Sequence, residues 1–198
     1  MDQQQRADLY EPSPRFYHVA ASVSASDVST SQLVIVWGGD TAEFYSRDGR
    51  TQLASRCQLF HIQSEVWGER HAVLGPPHPG LSAAACTSFR DYLFMYGGYC
   101  DNTISNISEV LSCVNIKTLT WSQLCPEGTA GGPMRKVGCG MIHVSSDKLA
   151  VIGGYGIPTG PTQPGSSVIM DTRFADGSGW TIEVHVFDLS QGSHSQVH

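Results

Sequence analysis

The chain has 198 residues, of which 40% are hydrophobic, 15% charged and 21 are glycine. That is enough to bury a core as one domain or at most two, in a composition unlike that of a helical protein. Eighteen acidic residues against 12 Lys and Arg give a formal charge of −6, and no basic run could follow a phosphate backbone, which argues against nucleic acid as a partner. The longest apolar run, Leu33 to Trp37, is far short of the ~18–20 residues needed to span a bilayer, so membrane insertion is not expected. The opening Met-Asp-Gln-Gln-Gln-Arg-Ala-Asp lacks the cationic and apolar regions of an export signal, which points to the cytoplasm, with the nucleus as alternative. Cys57, Cys86, Cys100, Cys113, Cys125 and Cys139 contain no C-x-x-C pair. They read as reduced structural thiols rather than zinc ligands or a redox couple.

Taken in chain order, a tail over 1–13 leads to Pro14-Arg15-Phe16-Tyr17-His18 and a first strand, then to a second strand, Val34-Ile35-Val36-Trp37, that runs into Gly38-Gly39. A loop from Asp40 to Thr51 follows, then a strand at Leu59-Phe60-His61-Ile62 and a fourth carrying Trp67. The next unit repeats this order: Leu93-Phe94-Met95-Tyr96 before Gly97-Gly98, Cys113-Val114-Asn115-Ile116, and Trp121. A third has Pro133-Met134-Arg135, Leu149-Ala150-Val151-Ile152 before Gly153-Gly154, a long loop from Tyr155 to Gly179, and a strand at 184–189. The glycine pairs are 59 and 56 residues apart and the two tryptophans 54 apart, a period too regular for unrelated turns. Asp91 and Asp147 each stand six residues before their pair, where a tight turn would make the first two strands a hairpin. Copy three offers His194 where a Trp would fall, so its last strand reads as missing or degenerate. No stretch has a capped helical period. The expected fold is all-β, in blades of roughly 14–72, 73–126 and 127–189, with a polar tail at 190–198.

These features resemble the kelch repeat, in which a double glycine follows an apolar second strand and a Trp marks the fourth. The resemblance implies a β-propeller of four-stranded blades. Three units make only a partial ring against the typical ~4–8 blades, so the chain is expected to be an open arc or fragment of a longer propeller. Its open edges could also drive self-association. Second strands near 33–37, 93–96 and 149–152 are expected nearest the axis in three consecutive sheets. Gly38, Gly39, Gly97, Gly98, Gly153 and Gly154 would allow close backbone approach, and Trp67 and Trp121 would be buried between units.

Catalytic signatures are scarce. There is no G-x-S-x-G elbow and no H-E-x-x-H helix, and the stretch from Gly131 to Lys136 is an inter-blade linker rather than a phosphate loop, because Pro133 removes an amide donor. No spacing of histidines supports a metal, and no cofactor is expected. Cys86 and Cys139 are read into first strands as small core residues; Cys100, after Tyr99, is the one candidate for redox sensing. Binding residues are sought in the loops: Phe44, Tyr45, Arg47 and Arg50 in copy one, and Tyr99 and Tyr155, which each follow a glycine pair. The leading function is a non-catalytic scaffold presenting these residues to a protein or peptide. The alternatives are a copper-dependent, oxidase-like propeller and a structural arc that closes by dimerisation.

Overall fold

Successive β-branched and aromatic residues ahead of each glycine pair suit a strand buried on both faces. A computed structural model describes residues 15–24, 32–40, 56–75, 78, 80, 82–100, 106–125, 135–157, 170–173, 179–190 and 193–197. Among them there is no α-helix. Sheet one runs in the order β1 (Val19–Ser24), β2 (Gln32–Trp37), β3 (Arg56–His61), β4 (Val66–Ala72). Sheet two repeats it with β5 (Ala85–Phe89), β6 (Tyr92–Tyr96), β7 (Leu111–Asn115) and β8 (Thr120–Cys125). Sheet three is built from β10 (Gly140–Ser145), β11 (Lys148–Ile152), β15 (Val184–Asp188) and β16 (Ser193–Val197). Every pairing is antiparallel.

The hairpins open as expected, and the aspartates close them in the same way. The Asp91 carbonyl accepts from the Ile116 amide at 2.8 Å and the Asp147 carbonyl from the Leu189 amide at 2.7 Å. Copy three does have a fourth strand, β16, so the degenerate edge and the polar tail are corrected. The signal was the turn rather than a Trp. Asn115 Oδ1 caps the turn into β8 by accepting from the Lys117 amide, and Asp188 Oδ1 accepts from the Ser190 amide in the same fashion.

Alternation along each strand divides its residues between two interfaces. In β6, Leu93 and Met95 face sheet one with Val114 and Trp121, in a core completed by Val19, Ile35 and Trp37. Phe94 and Tyr96 face the other way, joining Leu111 and Cys113 in a core with Met141, Leu149, Val151 and Phe187 of sheet three. The apolar interior therefore lies between sheets.

Two expectations about this packing are corrected. The first strands, not the second, lie nearest the axis: β1 abuts β5 and β5 abuts β10. Ser88 Oγ donates to the Ser22 carbonyl and Phe89 stacks on His143 at 3.7 Å. A second strand is hydrogen-bonded along both flanks, whereas a first strand has a free edge to turn toward the centre. Trp121 is buried between sheets one and two, edge-on to Trp37 at 4.8 Å, but Trp67 is half-buried against Phe60 of its own sheet. The gap Trp121 fills lies between two sheets; Trp67 sits on sheet one, which no described sheet precedes.

Burial also settles most of the thiols. It pushes Cys57, Cys113 and Cys139 up to about 11 and raises Cys86, which suits inert packing residues. Cys139 lies just before β10 rather than within it.

A buried histidine pins the connection from sheet one to sheet two. His78 Nδ1 accepts from the Gly80 amide at 3.0 Å, which leaves the proton on Nε2 to be donated to the Val110 carbonyl at 3.1 Å. Its ring meets Trp121 edge-on at 5.7 Å. Burial lowers its pKa from 6.5 to about 4. The folded state thus holds the ring neutral while the unfolded chain protonates it. The stabilisation is fully present above about pH 6.5 and is lost as pH falls from 6.5 toward 4, by roughly 3 kcal/mol in all. Urea midpoints at pH 7 and pH 4.5 should differ more for the native chain than for His78→Phe. Equal differences would show that His78 is not the titrating group.

Candidate functional site

Each unit begins with a residue in the left-handed region two positions before its first strand: Tyr17 (φ 56°), Ala83 (φ 57°) and Gly138 (φ 60°). Glycine occupies only one of the three, so no sequence motif marks this repeat. These residues join the units through the backbone. The Ala83 amide donates to the Tyr17 carbonyl and the Gly138 amide to the Ala83 carbonyl, both at 2.9 Å.

The glycine pairs return the chain to the same place. All six of their residues have positive φ, between 63° and 96°, a conformation that costs a side-chain-bearing residue about 1–3 kcal/mol. A Cβ on Gly39 would lie 2.8 Å from His18 Cβ, and one on Gly154 would lie 2.8 Å from Cys139 Cβ. The next residue of each unit then pairs with the segment leading into its own first strand: Asp40 with Phe16, Tyr99 with Ser82 and Tyr155 with Val137. Tyr99 and Tyr155 therefore occupy equivalent places, as their spacing implied, and Asp40 is the copy-one equivalent.

This arrangement gathers aromatic side chains from all three units. Phe16 and Tyr17, 42% and 60% exposed, meet edge-on at 5.1 Å. The Tyr99 phenol is pushed up, first by burial and then by the neighbouring Tyr155 and Tyr17 phenols. Tyr155 in turn meets Trp180, 57% exposed, at 5.7 Å. The row Phe16, Tyr17, Tyr99, Tyr155, Trp180 thus crosses three units. Sequence reasoning missed Phe16 and Tyr17 as site residues, although the adjacent aromatic pair ahead of the first strand was visible; Trp180 stands out in sequence as an aromatic near the end of the long copy-three loop.

Copy three adds a scaffold beneath the row. Its long loop contributes three short strands, β12 (Tyr155–Ile157), β13 (Met170–Arg173) and β14 (Gly179–Thr181). With β9 (Arg135–Val137) from the inter-blade linker they form a fourth sheet in the order β13-β14-β12-β9, which the sequence did not foretell. Within it Lys136 Nζ is completely buried, 2.7 Å from Glu183 Oε2. The charged ends form a buried ion pair. Lys136 is thereby committed to the fold and unavailable to a phosphate. Arg135 lies 3.8 Å from Glu109, and Ser82 Oγ donates to Asp40 Oδ2 at 2.7 Å, so charges around the row are largely internally matched. Phe44, Tyr45, Arg47 and Arg50 lie outside the described residues.

Four-stranded antiparallel sheets packed face to face, with their first strands at the centre, define an open β-propeller arc. The comparisons agree with this class. The chain is 27% identical over 177 residues to mouse Kelch domain-containing protein 1, a match covering 85% of this chain and 41% of that protein. The solved structure of YjhT superposes with a TM-score of 0.56 at 15% identity, over 96% of this chain and 53% of that one. No protein-family model matches the sequence. The chain spans about half the length of both relatives, and its repeat and fold are similar to those of kelch-type β-propellers.

Proposed function

We propose that the chain is a non-catalytic protein-interaction scaffold of the cytoplasm or nucleus, without a cofactor, that binds a protein or peptide through the aromatic face at the glycine-pair ends. The observation that carries this reading is the pair of exposed aromatic contacts, Phe16 with Tyr17 and Tyr155 with Trp180, at equivalent ends of the units. Surface aromatics on a rigid backbone bring large contact area at small entropic cost, and such rings dominate binding energy at interfaces. The internally matched charges around the row suit an apolar or aromatic anchor on the partner better than a strongly charged one. The copy-one loop holding Phe44, Tyr45, Arg47 and Arg50 is a second candidate surface for the partner, since an arginine fork beside aromatic rings suits a peptide that carries a carboxylate as well as an apolar anchor.

The test is affinity capture followed by titration of the captured partner. Tyr17→Ala with Trp180→Ala is expected to weaken binding by at least about 2 kcal/mol while leaving the thermal midpoint within a few degrees. Ala is tolerated at the Tyr17 position because Ala83 holds the equivalent backbone conformation. The triple change of Phe44, Arg47 and Arg50 to Ala should weaken the same partner if the loop contributes. Undiminished affinity in the first variant would remove the aromatic row from the interface.

A further inference from the structure

Sheet four carries a line of residues on each face. Val137, Tyr155 and Trp180 stand opposite one another across β9, β12 and β14, and Lys136, Gly156 and Gly179 form the neighbouring line. Residues directly opposite share a face and successive residues alternate, so Tyr155 and Trp180 lie on one face and the Lys136 side chain on the other. Trp180 is exposed, whereas Lys136 is completely buried. Two of the three positions in the Lys136 line are glycine, which leaves its stem room to cross β12: a Cβ on Gly156 would lie 3.4 Å from Lys136 Cγ. The side chain ends 2.7 Å from Glu183 Oε2, just beyond the end of β14. It therefore reaches from β9, across β12, to the exit of β14.

That span supplies what the ladder lacks. β12 and β14 are joined at only two residue pairs, Tyr155 with Trp180 and Gly156 with Gly179, and a short ladder with a glycine line has little side-chain packing with which to choose its register. The Thr181 amide donates to the Gly154 carbonyl and the Gly153 amide to the Glu183 carbonyl, both at 2.9 Å, but any residue can make such backbone bonds. The buried pair is selective. A one-residue slip of β14 turns Trp180 to the inner face and carries Glu183 away from Lys136, leaving two buried charges unpaired, a far larger penalty than a lost surface contact. Lys136 is a fixed reference, since its carbonyl accepts from the Gly98 amide of sheet two at 2.9 Å. We infer that Lys136 and Glu183 are positioning residues for the Tyr155–Trp180 contact: their pair sets the register of sheet four and so keeps Trp180 on the outer face. That these rings meet a partner rests on the proposed function; the register does not.

The test is fluorine NMR of the full chain labelled with 5-fluorotryptophan. The four tryptophans give four lines, and Trp180→Phe identifies the one from Trp180. Lys136→Met combined with Glu183→Leu replaces the pair by apolar side chains of similar volume, a change that buried ion pairs often tolerate without loss of stability. In this double variant the Trp37 and Trp121 lines, which report the packing between sheets one and two, are expected to stay in place while the Trp180 line splits or broadens. Affinity for the captured partner is expected to fall about tenfold. One sharp Trp180 line in the double variant would overturn the inference. Displacement of the Trp37 and Trp121 lines would overturn it too, because the pair would then support the whole fold rather than this contact. A split Trp180 line with undiminished affinity would uphold the positioning role and remove Trp180 from the interface.

Discussion

Trp121→Ala is expected to lower stability by roughly 3–5 kcal/mol. The ring is buried where sheets one and two meet, edge-on to Trp37 and beneath His78. Its removal opens a cavity walled by strands from two sheets, which cannot collapse without breaking their registers. The equivalent change at Trp67, half-buried against Phe60, should cost less than half as much. The Trp121 indole N–H has no acceptor among the described residues, so Trp121→Phe keeps the ring contact without losing a hydrogen bond and should be far milder than Ala. Urea denaturation of the three variants measures this directly; similar midpoints for Trp121→Ala and Trp67→Ala would show that the inter-sheet position confers nothing.

Gly97→Ala should cost at least about 3 kcal/mol, combining left-handed backbone strain with overpacking against an immovable group. The residue has φ +74°, and an added Cβ would run into the Lys136 carbonyl oxygen, which already accepts from the Gly98 amide at 2.9 Å. That oxygen belongs to β9, and the Lys136 side chain is held in place by Glu183, so neither side can give way. Gly138→Ala provides the control. It has φ +60° with nothing within 4 Å of a Cβ, and should cost about 1 kcal/mol from backbone strain alone. If thermal unfolding puts the two substitutions on a par, backbone conformation rather than close approach governs these positions.

The sequence by itself determined the all-β class, the three-fold repeat, the positions of the second strands and the glycine pairs. Each follows from a local rule: strand alternation, the conformational freedom of glycine, and a fixed period. Equivalence by count also placed Tyr99 and Tyr155 correctly relative to each other. Tertiary structure alone decided which strand faces the axis, because that depends on which sheet edge a neighbour leaves free. Packing likewise replaced the missing Trp of copy three with Phe187 from its third strand, which meets Tyr96 at 5.6 Å. The backbone ladder through Tyr17, Ala83 and Gly138 was hidden because unlike residues adopt one conformation when hydrogen bonds between sheets impose it. The aromatic face is a product of that ladder: Phe16 and Trp180 are 164 positions apart in the chain, and only the closure of successive units onto a common centre brings them into one row.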